Sequence, residues 1–357
     1  SKKILNNKAS FFKEEVRREI ISMFNESKLY DSGMTIMTSL NEDIQLQAEE
    51  SFRKGIKEFS KRRGWLGPIK TFNKKSNLKK EIKLLKKPNG LFNEQIGVVT
   101  KIKKDEILIT TQQGRDISLN RNMMKLIKEN NFDMKNFFNV GDVLVLENSD
   151  DSKDLELSQI PKVNGGLVVL ENETGRILAM VGGYDSSSSF NRTTQAKRQL
   201  GSSFKPIVYL TALENGYTPV SKVLDAPFVI DDYSKDGIWR PTNYGDKFYG
   251  LSTLRLGIEK SRNLMTVRLS DRLGLEKISR ISKDLGIYEK FPYVISSSLG
   301  SLESSLIKIT SAYATLANGG IKVSPVIIDA IYDNNGSFLY KGDQRKCLDC
   351  SIDDFEI

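Results

Sequence analysis

Histidine does not occur anywhere in the 357 residues of the chain. Its absence excludes catalytic sites of the Ser-His-Asp and Cys-His types, and it excludes every metal centre that needs imidazole ligands. If the chain catalyses acyl transfer, its general base must therefore be a lysine, glutamate, aspartate or tyrosine.

Cysteine is nearly absent as well, with Cys347 and Cys350 as the two examples. A Cys-x-x-Cys pair is compatible with a redox site, a local disulfide or half of a zinc site. A closed zinc site would lack ligands, because the chain has no second cysteine pair and no histidine. We favour two incidental thiols in a loop, and we expect neither a metal nor a cofactor.

Long apolar runs are also missing. No stretch approaches the ~18 consecutive apolar residues of a membrane span. The first residues, Ser1–Asn7, lack the apolar core of a signal peptide. Either the protein is cytosolic or the sequence begins downstream of a membrane anchor.

The net charge of +9 is unevenly distributed. Residues 1–92 hold 21 Lys/Arg and 11 Asp/Glu, a balance of +10, and the remaining 33 Lys/Arg and 34 Asp/Glu give −1. A basic segment favours anionic partners such as phospholipid head groups, nucleic acid or anionic wall polymers. The interpretation we favour is a solvated helix face and a linker.

Segment 1–92 shows mainly helical spacing of its apolar residues. Helices are predicted over 11–24 and, after a cap at Asn41, from Glu42 to about Arg62. The lysine-rich stretch 70–90 is predicted to be a linker or an exposed excursion.

Segment 93–160 changes to a period of two, which is typical of strands. A helical turn is predicted near 123–128. Strands are predicted at 98–102, 106–110, 116–119 and 143–146. Several short strands and one helix in about 65 residues favour a small β-barrel of the OB type.

Segment 161–357 mixes predicted strands and helices, which indicates an α/β (α+β) fold. A hairpin is expected from strands 167–170 and 176–181, and a second strand pair from 326–332 and 337–340. Helices are predicted from Gly201 to Gly216 and at 253–260, 264–273, 275–285 and 307–317.

Ser-x-x-Lys is the first motif with chemical content. It occurs five times, but only the copy at Ser202 stands at a glycine-preceded start of an apolar helix. Its spacing puts Ser202 and Lys205 on one helix face, one turn apart. The positive end of the helix dipole favours an oxyanion there, and a partly desolvated lysine can act as the base.

A second motif, Ser261-Arg262-Asn263, stands between two predicted helices. Its hydroxyl can relay a proton, and its amide can fix a substrate peptide group. Taken alone, the motif is more simply a helix cap at a helix junction.

In this order and context the two motifs resemble the penicillin-recognising serine transferases and hydrolases. The surrounding sequence is similar to class A penicillin-binding proteins. Four segments carry the likeness: Arg198–Pro206, Trp239–Tyr244, Lys260–Asn263 and Ser311–Gly320.

The resemblance implies a penicillin-binding-protein/β-lactamase-like transpeptidase domain, with an antiparallel sheet and a helical subdomain, and the activity of a peptidoglycan D,D-transpeptidase. Carried over by motif, Ser202 is the nucleophile, Lys205 its base and Ser261 the proton relay. Asn263 and Ser203 would bind substrate. The implied partners are stem peptides ending in D-Ala-D-Ala and lipid-linked glycan strands, with β-lactams as inhibitors and no nucleic acid.

The resemblance also implies a division of the chain. Residues 1–92 would be a connector after a missing glycosyltransferase domain, 93–160 an OB-like domain and 161–357 a truncated transpeptidase domain. The parent protein would be bifunctional and anchored at the extracytoplasmic, periplasmic face of the bacterial cytoplasmic membrane.

One departure concerns the third motif of the family, Lys-Thr/Ser-Gly, which occurs nowhere in the chain. Truncation at both ends is the explanation we favour, with divergence to a non-catalytic scaffold as the other. We therefore expect the chain alone to be acylated slowly, because the missing strand would supply part of the oxyanion hole.

Two alternative functions remain open from the sequence. A β-lactam-hydrolysing or sensing serine enzyme would differ in the lifetime of its acyl-enzyme. A basic OB-fold protein that binds nucleic acid belongs to another class, but aromatic residues do not interleave with the lysines of 74–87.

Overall fold

The computed structural model of the chain describes residues 9–129, 132–149, 154–232 and 237–343. The chain divides into two compact units. Unit 1 comprises the chain up to Ala48, the segment Gly166–Gly182 and the chain from Phe190 onward. Unit 2 comprises Glu49–Gly165 and Gly183–Ser189.

The helices within the described ranges, in chain order, are α1 (Ser10–Phe24), α2 (Glu26–Asp31), α3 (Glu42–Arg62), α4 (Leu78–Leu84), α5 (Met134–Phe137), α6 (Lys205–Glu214), α7 (Leu254–Glu259), α8 (Asn263–Leu273), α9 (Leu275–Asp284) and α10 (Leu306–Ala317). None of these helices combines the length and the apolar composition that crossing a bilayer requires.

The strands within the same ranges are β1 (Thr35–Thr38), β2 (Lys70–Thr71), β3 (Gln95–Ile102), β4 (Glu106–Thr111), β5 (Asp116–Asn120), β6 (Asp142–Asn148), β7 (Leu155–Ser158), β8 (Leu167–Leu170), β9 (Ile177–Val181), β10 (Arg198–Gln199), β11 (Lys222–Asp225), β12 (Ile230–Asp232), β13 (Gly237–Trp239), β14 (Gly250–Thr253), β15 (Glu303–Ser304), β16 (Ile328–Tyr332) and β17 (Phe338–Lys341).

The sheet part of unit 1 contains the antiparallel sheet β1-β16-β17 and the hairpin β8-β9. Helix α1 contributes Phe12, Val16 and Ile20, which recur every four residues and therefore share one helix face. They belong to one buried core together with Ile177 of β9 and Ile331 of β16. The apolar spacing that predicts α1 thus also provides its packing face.

A buried glutamine fixes strand β9 within unit 1. The Gln45 side chain accepts a hydrogen bond of 2.8 Å from the Met180 amide and donates one of 3.1 Å to the Met180 carbonyl oxygen. Because both backbone groups are buried, leaving either unpaired would cost about 1–3 kcal/mol. The start of α3 therefore belongs to the packing of unit 1.

The helical part of unit 1 has its own core, which supports the site described below. Helix α6 contributes Ile207 and Val208, α8 contributes Leu269, and α9 contributes Ile278. Pro206 stands in the first turn of α6, where a missing N–H has no intrahelical partner to lose.

Unit 2 is built on an antiparallel sheet with the order β2-β6-β3-β4-β5. Strand β7 pairs with residues 145–148 of β6, beyond the part of β6 that pairs with β2. Its core includes Ile107 and Ile109 of β4 and Leu144 and Leu146 of β6. Side chains two residues apart lie on one face of a strand, so each of these pairs faces the same side.

The mixed α/β class with antiparallel sheets and helices is confirmed, but two local predictions are wrong. The stretch 70–90 contains β2 and α4, with Phe72 and Ile82 buried. The region 123–128 holds no α-helix. A 3-10 turn ends at its start and spans Arg121–Met123, and the next α-helix is α5, further along the chain.

Candidate active site

The Ser-x-x-Lys segment begins at a close contact between two glycines. The amide of Gly201 donates a hydrogen bond of 2.9 Å to the carbonyl oxygen of Gly300. A β-carbon added at Gly300 would lie 2.2 Å from the Gly201 carbonyl oxygen, and Gly300 has a φ of 74°. Only glycine fits such a position. The contact fixes the backbone directly before Ser202.

Ser202 lies in the 3-10 turn Gly201–Phe204, which leads into α6. Its side chain is exposed. Phe204 is fully buried, and its ring lies 5.6 Å from that of Tyr288 and 5.9 Å from that of Phe291. Burying such a side chain stabilises the fold by about 1.5–3 kcal/mol. The turn therefore exposes Ser202 to solvent, while the buried Phe204 ring holds the turn in place.

Ser203, the other serine of the turn, uses its polar groups to hold the turn itself. Its hydroxyl donates a hydrogen bond of 2.6 Å to the Leu200 carbonyl oxygen. Its own carbonyl oxygen accepts one of 2.8 Å from the Tyr313 hydroxyl. Within the described residues, no hydrogen bond joins the Ser203 side chain to Lys205.

Lys205 is 2% exposed and begins α6. Its Nζ donates hydrogen bonds to the Ser261 carbonyl oxygen at 2.6 Å, to Ser261 Oγ at 3.0 Å and to Asn263 Oδ1 at 2.6 Å. Burial lowers the pKa of Lys205 to about 8, because the ammonium loses hydration and these three acceptors are neutral. About a tenth of the amine is therefore unprotonated at pH 7, far more than for an ordinary lysine.

Ser261 lies at the C-terminus of α7, which ends in a Schellman motif. The amide of Arg262 donates to the Gly257 carbonyl oxygen at 2.9 Å, and the amide of Ser261 donates to that of Ile258 at 3.0 Å. Ser261 occupies the left-handed position of the motif, with a φ of 50°, where glycine is preferred. This placement lets its carbonyl oxygen and its hydroxyl both contact Lys205.

Asn263 is the first residue of α8, and both ends of its amide are engaged. Its Oδ1 accepts from Lys205, and its Nδ2 donates to the Thr242 carbonyl oxygen at 2.7 Å. The orientation of the amide is therefore fixed. The structure brings Lys205, Ser261 and Asn263 into direct contact, with Ser202 one turn before Lys205 in the same segment.

Asn243 is a residue of this site to which the sequence assigned no role. It is buried, and its Oδ1 accepts hydrogen bonds from the amides of Asn263 at 2.9 Å and Leu264 at 3.3 Å. The sequence feature that points to Asn243 is its position within Trp239–Tyr244, one of the segments that carry the family resemblance.

The part of the chain that the structure describes contains no candidate metal site. There, no group of three or more His, Cys, Asp or Glu side chains is arranged to hold an ion. Cys347 and Cys350 lie outside the described residues.

Two protein-family models match the chain. A model of the penicillin binding protein transpeptidase domain matches residues 165–350. A model of the penicillin-binding protein OB-like domain matches residues 65–163.

Curated relatives and solved structures give the same result. The chain is 42% identical to penicillin-binding protein 1A of Rickettsia felis over 348 residues, which cover 97% of this chain and 44% of that protein. It is 32% identical to penicillin-binding protein 1A of Pseudomonas aeruginosa, covering 93% of this chain and 42% of that protein. The crystal structure of penicillin-binding protein 1A from Haemophilus influenzae superimposes with a TM-score of 0.82 at 28% identity, covering 94% of this chain and 50% of that one. The chain thus spans less than half the length of these curated relatives.

Proposed function

Since the chain belongs to the penicillin-binding proteins and contains their transpeptidase domain, we propose that it cross-links peptidoglycan through an acyl-enzyme on Ser202. The observation that supports this mechanism most is the environment of Lys205. Its amine is buried, has a pKa of about 8 and, within the described residues, donates its hydrogen bonds to neutral acceptors of Ser261 and Asn263. This is the environment that a lysine needs to serve as a general base.

The neutral form of Lys205 can also satisfy these hydrogen bonds, with the Ser261 hydroxyl turned from acceptor to donor. Two partners, the Ser261 carbonyl oxygen and Asn263 Oδ1, can only accept, so they take the two N–H groups of a neutral amine. The nitrogen lone pair is then left for a hydroxyl that donates. Ser202 and Ser261 both carry such a hydroxyl.

In the first half of the reaction, Ser202 Oγ bonds to the carbonyl carbon of the penultimate D-alanine of a stem peptide. Its proton passes to Lys205 Nζ. The Ser261 hydroxyl relays a proton from Lys205 to the nitrogen of the terminal D-alanine, and the peptide C–N bond breaks. The products are an ester on Ser202 and free D-alanine.

In the second half, an amine of a neighbouring stem peptide attacks the ester carbonyl. Lys205 accepts a proton from that amine, the C–O bond to Ser202 breaks, and Ser202 Oγ regains a proton. The product is a new peptide cross-link. Water in place of the amine would give the carboxypeptidase reaction. In both halves we assign to binding the substrate peptide the groups that these contacts leave over: the second N–H of Asn263 Nδ2 and the oxygen of the Ser203 hydroxyl, which can still accept.

The wider setting is part of the same proposal. The complete gene product would act on stem peptides and lipid-linked glycan strands at the extracytoplasmic face of the bacterial cytoplasmic membrane. It would pair this chain with a glycosyltransferase domain, to which residues 1–92 connect, and would bind β-lactams as analogues of D-Ala-D-Ala. A β-lactam-hydrolysing enzyme with the same nucleophile is distinguished by rapid loss of the acyl group.

The test is covalent labelling of the complete gene product with penicillin. Intact-mass and peptide mapping should locate a long-lived adduct on Ser202, and Ser202→Ala should abolish it. The matched variant Ser203→Ala should still be labelled at position 202. An adduct that maps to Ser203, or that survives Ser202→Ala, would overturn the assignment.

A further inference from the structure

The buried asparagine Asn243 is fully hydrogen-bonded. Its Oδ1 accepts from the amides of Asn263 and Leu264, while its Nδ2 donates to Asp225 Oδ1 at 2.6 Å and to the Lys247 carbonyl oxygen at 2.9 Å. Helix α8 receives no side-chain cap from its own N-cap residue. Asn243 therefore caps α8 from a separate loop, which follows β13.

The polarity of this cap is set by Asp225, which has no exposed surface. Its Oδ1 accepts from the Asn243 side chain, so it faces the Nδ2 end of that amide. The Oδ1 end is thereby directed at the N–H groups of α8. The other Asp225 oxygen lies 3.8 Å from Arg262 Nε, and the Arg262 guanidinium stacks 3.3 Å from the centroid of the Tyr249 ring.

The same loop also holds the side chain of Asn263. The carbonyl oxygen of Thr242 accepts from Asn263 Nδ2, which directs Asn263 Oδ1 to Lys205 Nζ. A continuous series of hydrogen bonds thus runs from the carboxylate of Asp225 through Asn243 and Asn263 to Lys205.

The geometry points to Asn243, oriented by Asp225, as a positioning residue that holds Asn263 and the adjoining Ser261 turn against the general base Lys205. This inference rests on the proposed acylation of Ser202. Neither residue touches Lys205, so both act through Asn263.

The test exchanges the two groups of the pair in the complete gene product. Asn243→Asp places two carboxyl groups face to face and removes the donor. The double variant Asp225→Asn/Asn243→Asp restores a donor facing an acceptor, with the direction reversed, and keeps an acceptor for the amides of α8. The measured quantity is the rate of labelling by fluorescent penicillin as a function of pH, expressed per folded molecule.

Asn191 offers a matched control. It is a buried asparagine of unit 1 whose Nδ2 donates to Glu15 Oε2 at 3.1 Å and whose Oδ1 accepts from the Thr193 amide at 3.1 Å. Asn191→Asp therefore also places a carboxyl group against a carboxylate in the interior of the protein. It does so at a place that the proposed chemistry does not use.

We expect Asn243→Asp to be labelled at least ~10-fold more slowly, because a small displacement of a reacting group is costly. The midpoint of its pH profile should move upward from about 8, since a displaced turn admits water to Lys205. Asn191→Asp should stay within about twofold of the unsubstituted protein, with the same midpoint, as an independent site would. The double variant should recover most of the rate and the original midpoint.

The outcomes separate the two proposals. If the unsubstituted protein is not labelled on Ser202, the proposed function fails. If it is labelled and Asn243→Asp matches it in rate and midpoint, the positioning role is wrong. If Asn243→Asp does not fold, the double variant decides: a normal rate supports the inference, and a folded but slow double variant overturns it.

Discussion

The lysine at the centre of the site has a pH-dependent charge, which gives the first prediction. Only the neutral amine accepts a proton, and its fraction rises as the pH passes the pKa of Lys205, about 8. Labelling by penicillin should therefore accelerate from pH 6 through about 8 and level off above it. Stopped labelling reactions across this range would measure the midpoint.

Lys205→Arg is the informative variant, because arginine stays protonated throughout this pH range. Its rate should be lower by at least ~10², the scale on which general bases contribute, and should not rise with pH. A profile with an unchanged midpoint near 8 in Lys205→Arg would assign the titration to another group.

Ser261 gives a second prediction at the residue scale, because its backbone and its hydroxyl have opposite preferences. The φ of 50° suits glycine, whereas relaying a proton needs the hydroxyl. Ser261→Gly should raise the free energy of unfolding above that of Ser261→Ala by about 1 kcal/mol. Both variants should be labelled at least ~10-fold more slowly, since both lack the relay.

Thermal denaturation and penicillin labelling of the two variants measure these effects separately. A Ser261→Gly protein that is labelled at the original rate would show that the hydroxyl takes no part. Equal stabilities of the glycine and alanine variants would contradict the strain that we infer at this position.

The sequence was informative at this scale where chemistry follows spacing along the chain. The Ser-x-x-Lys spacing places Lys205 one turn after Ser202, and the structure joins Lys205 to Ser261 and Asn263, which stand more than 50 residues later. The cap by Asn243 could not be read from local sequence, because it comes from an irregular loop about 20 residues before the helix that it caps.

At the scale of elements, the contact between Gly201 and Gly300 connects two short segments around Ser202, the proposed nucleophile. Gly300→Ala should slow labelling of Ser202 by at least ~10-fold, because its β-carbon would push the Gly201 backbone and displace the turn. It should also destabilise the fold, since both a clash and a positive φ oppose alanine.

Gly319→Ala is the matched control for this third prediction. Gly319 has a φ of 66°, but nothing lies within 4 Å of an added β-carbon. It should lose only about 1 kcal/mol from the backbone conformation and keep its labelling rate. If Gly300→Ala is labelled as fast as Gly319→Ala, the glycine contact does not position Ser202.

Element prediction succeeded where local signals agree. Helix α3 begins and ends as expected because Asn41 accepts from the Ile44 amide at 3.0 Å, acidic residues occupy the first turn and basic residues the last. Helix α4 was missed because lysines surround the single buried position Ile82. Strands of two to four residues, such as β10 and β11, are too short to show a period of two.

At the scale of the whole molecule, the basic excess of residues 1–92 is partly neutralised inside unit 2. Lys57 Nζ contacts Glu94 Oε1 at 2.5 Å and Glu147 Oε2 at 2.7 Å, and Lys61 contacts Glu147 Oε1 at 2.7 Å. Burial opposes ionisation of Glu94 and Glu147, but the hydrogen bonds from the lysines outweigh it and lower both pKa values. These lysines are therefore structural in part, and they are not all available to an anionic partner.

The last prediction removes the centre of this cluster. Lys57→Ala leaves Glu94, which is 6% exposed, without its cation, and should reduce the stability of unit 2 by about 2 kcal/mol, less than the ~3–5 kcal/mol of a fully buried pair. Because the lowered pKa values stabilise the fold only where the carboxylates are ionised, the difference should be full at pH 7 and shrink as the pH falls below about 4.5, where protonation relieves the unpaired carboxylate. Hydrogen exchange of the amides in strands β3 and β6 would measure this loss of stability, with the exposed Lys54→Ala as control.

The amides of α6 and the labelling of Ser202 should be unaffected by Lys57→Ala, since unit 1 has cores of its own. Equal losses of protection in α6 and in β3 would mean that the two units unfold as one.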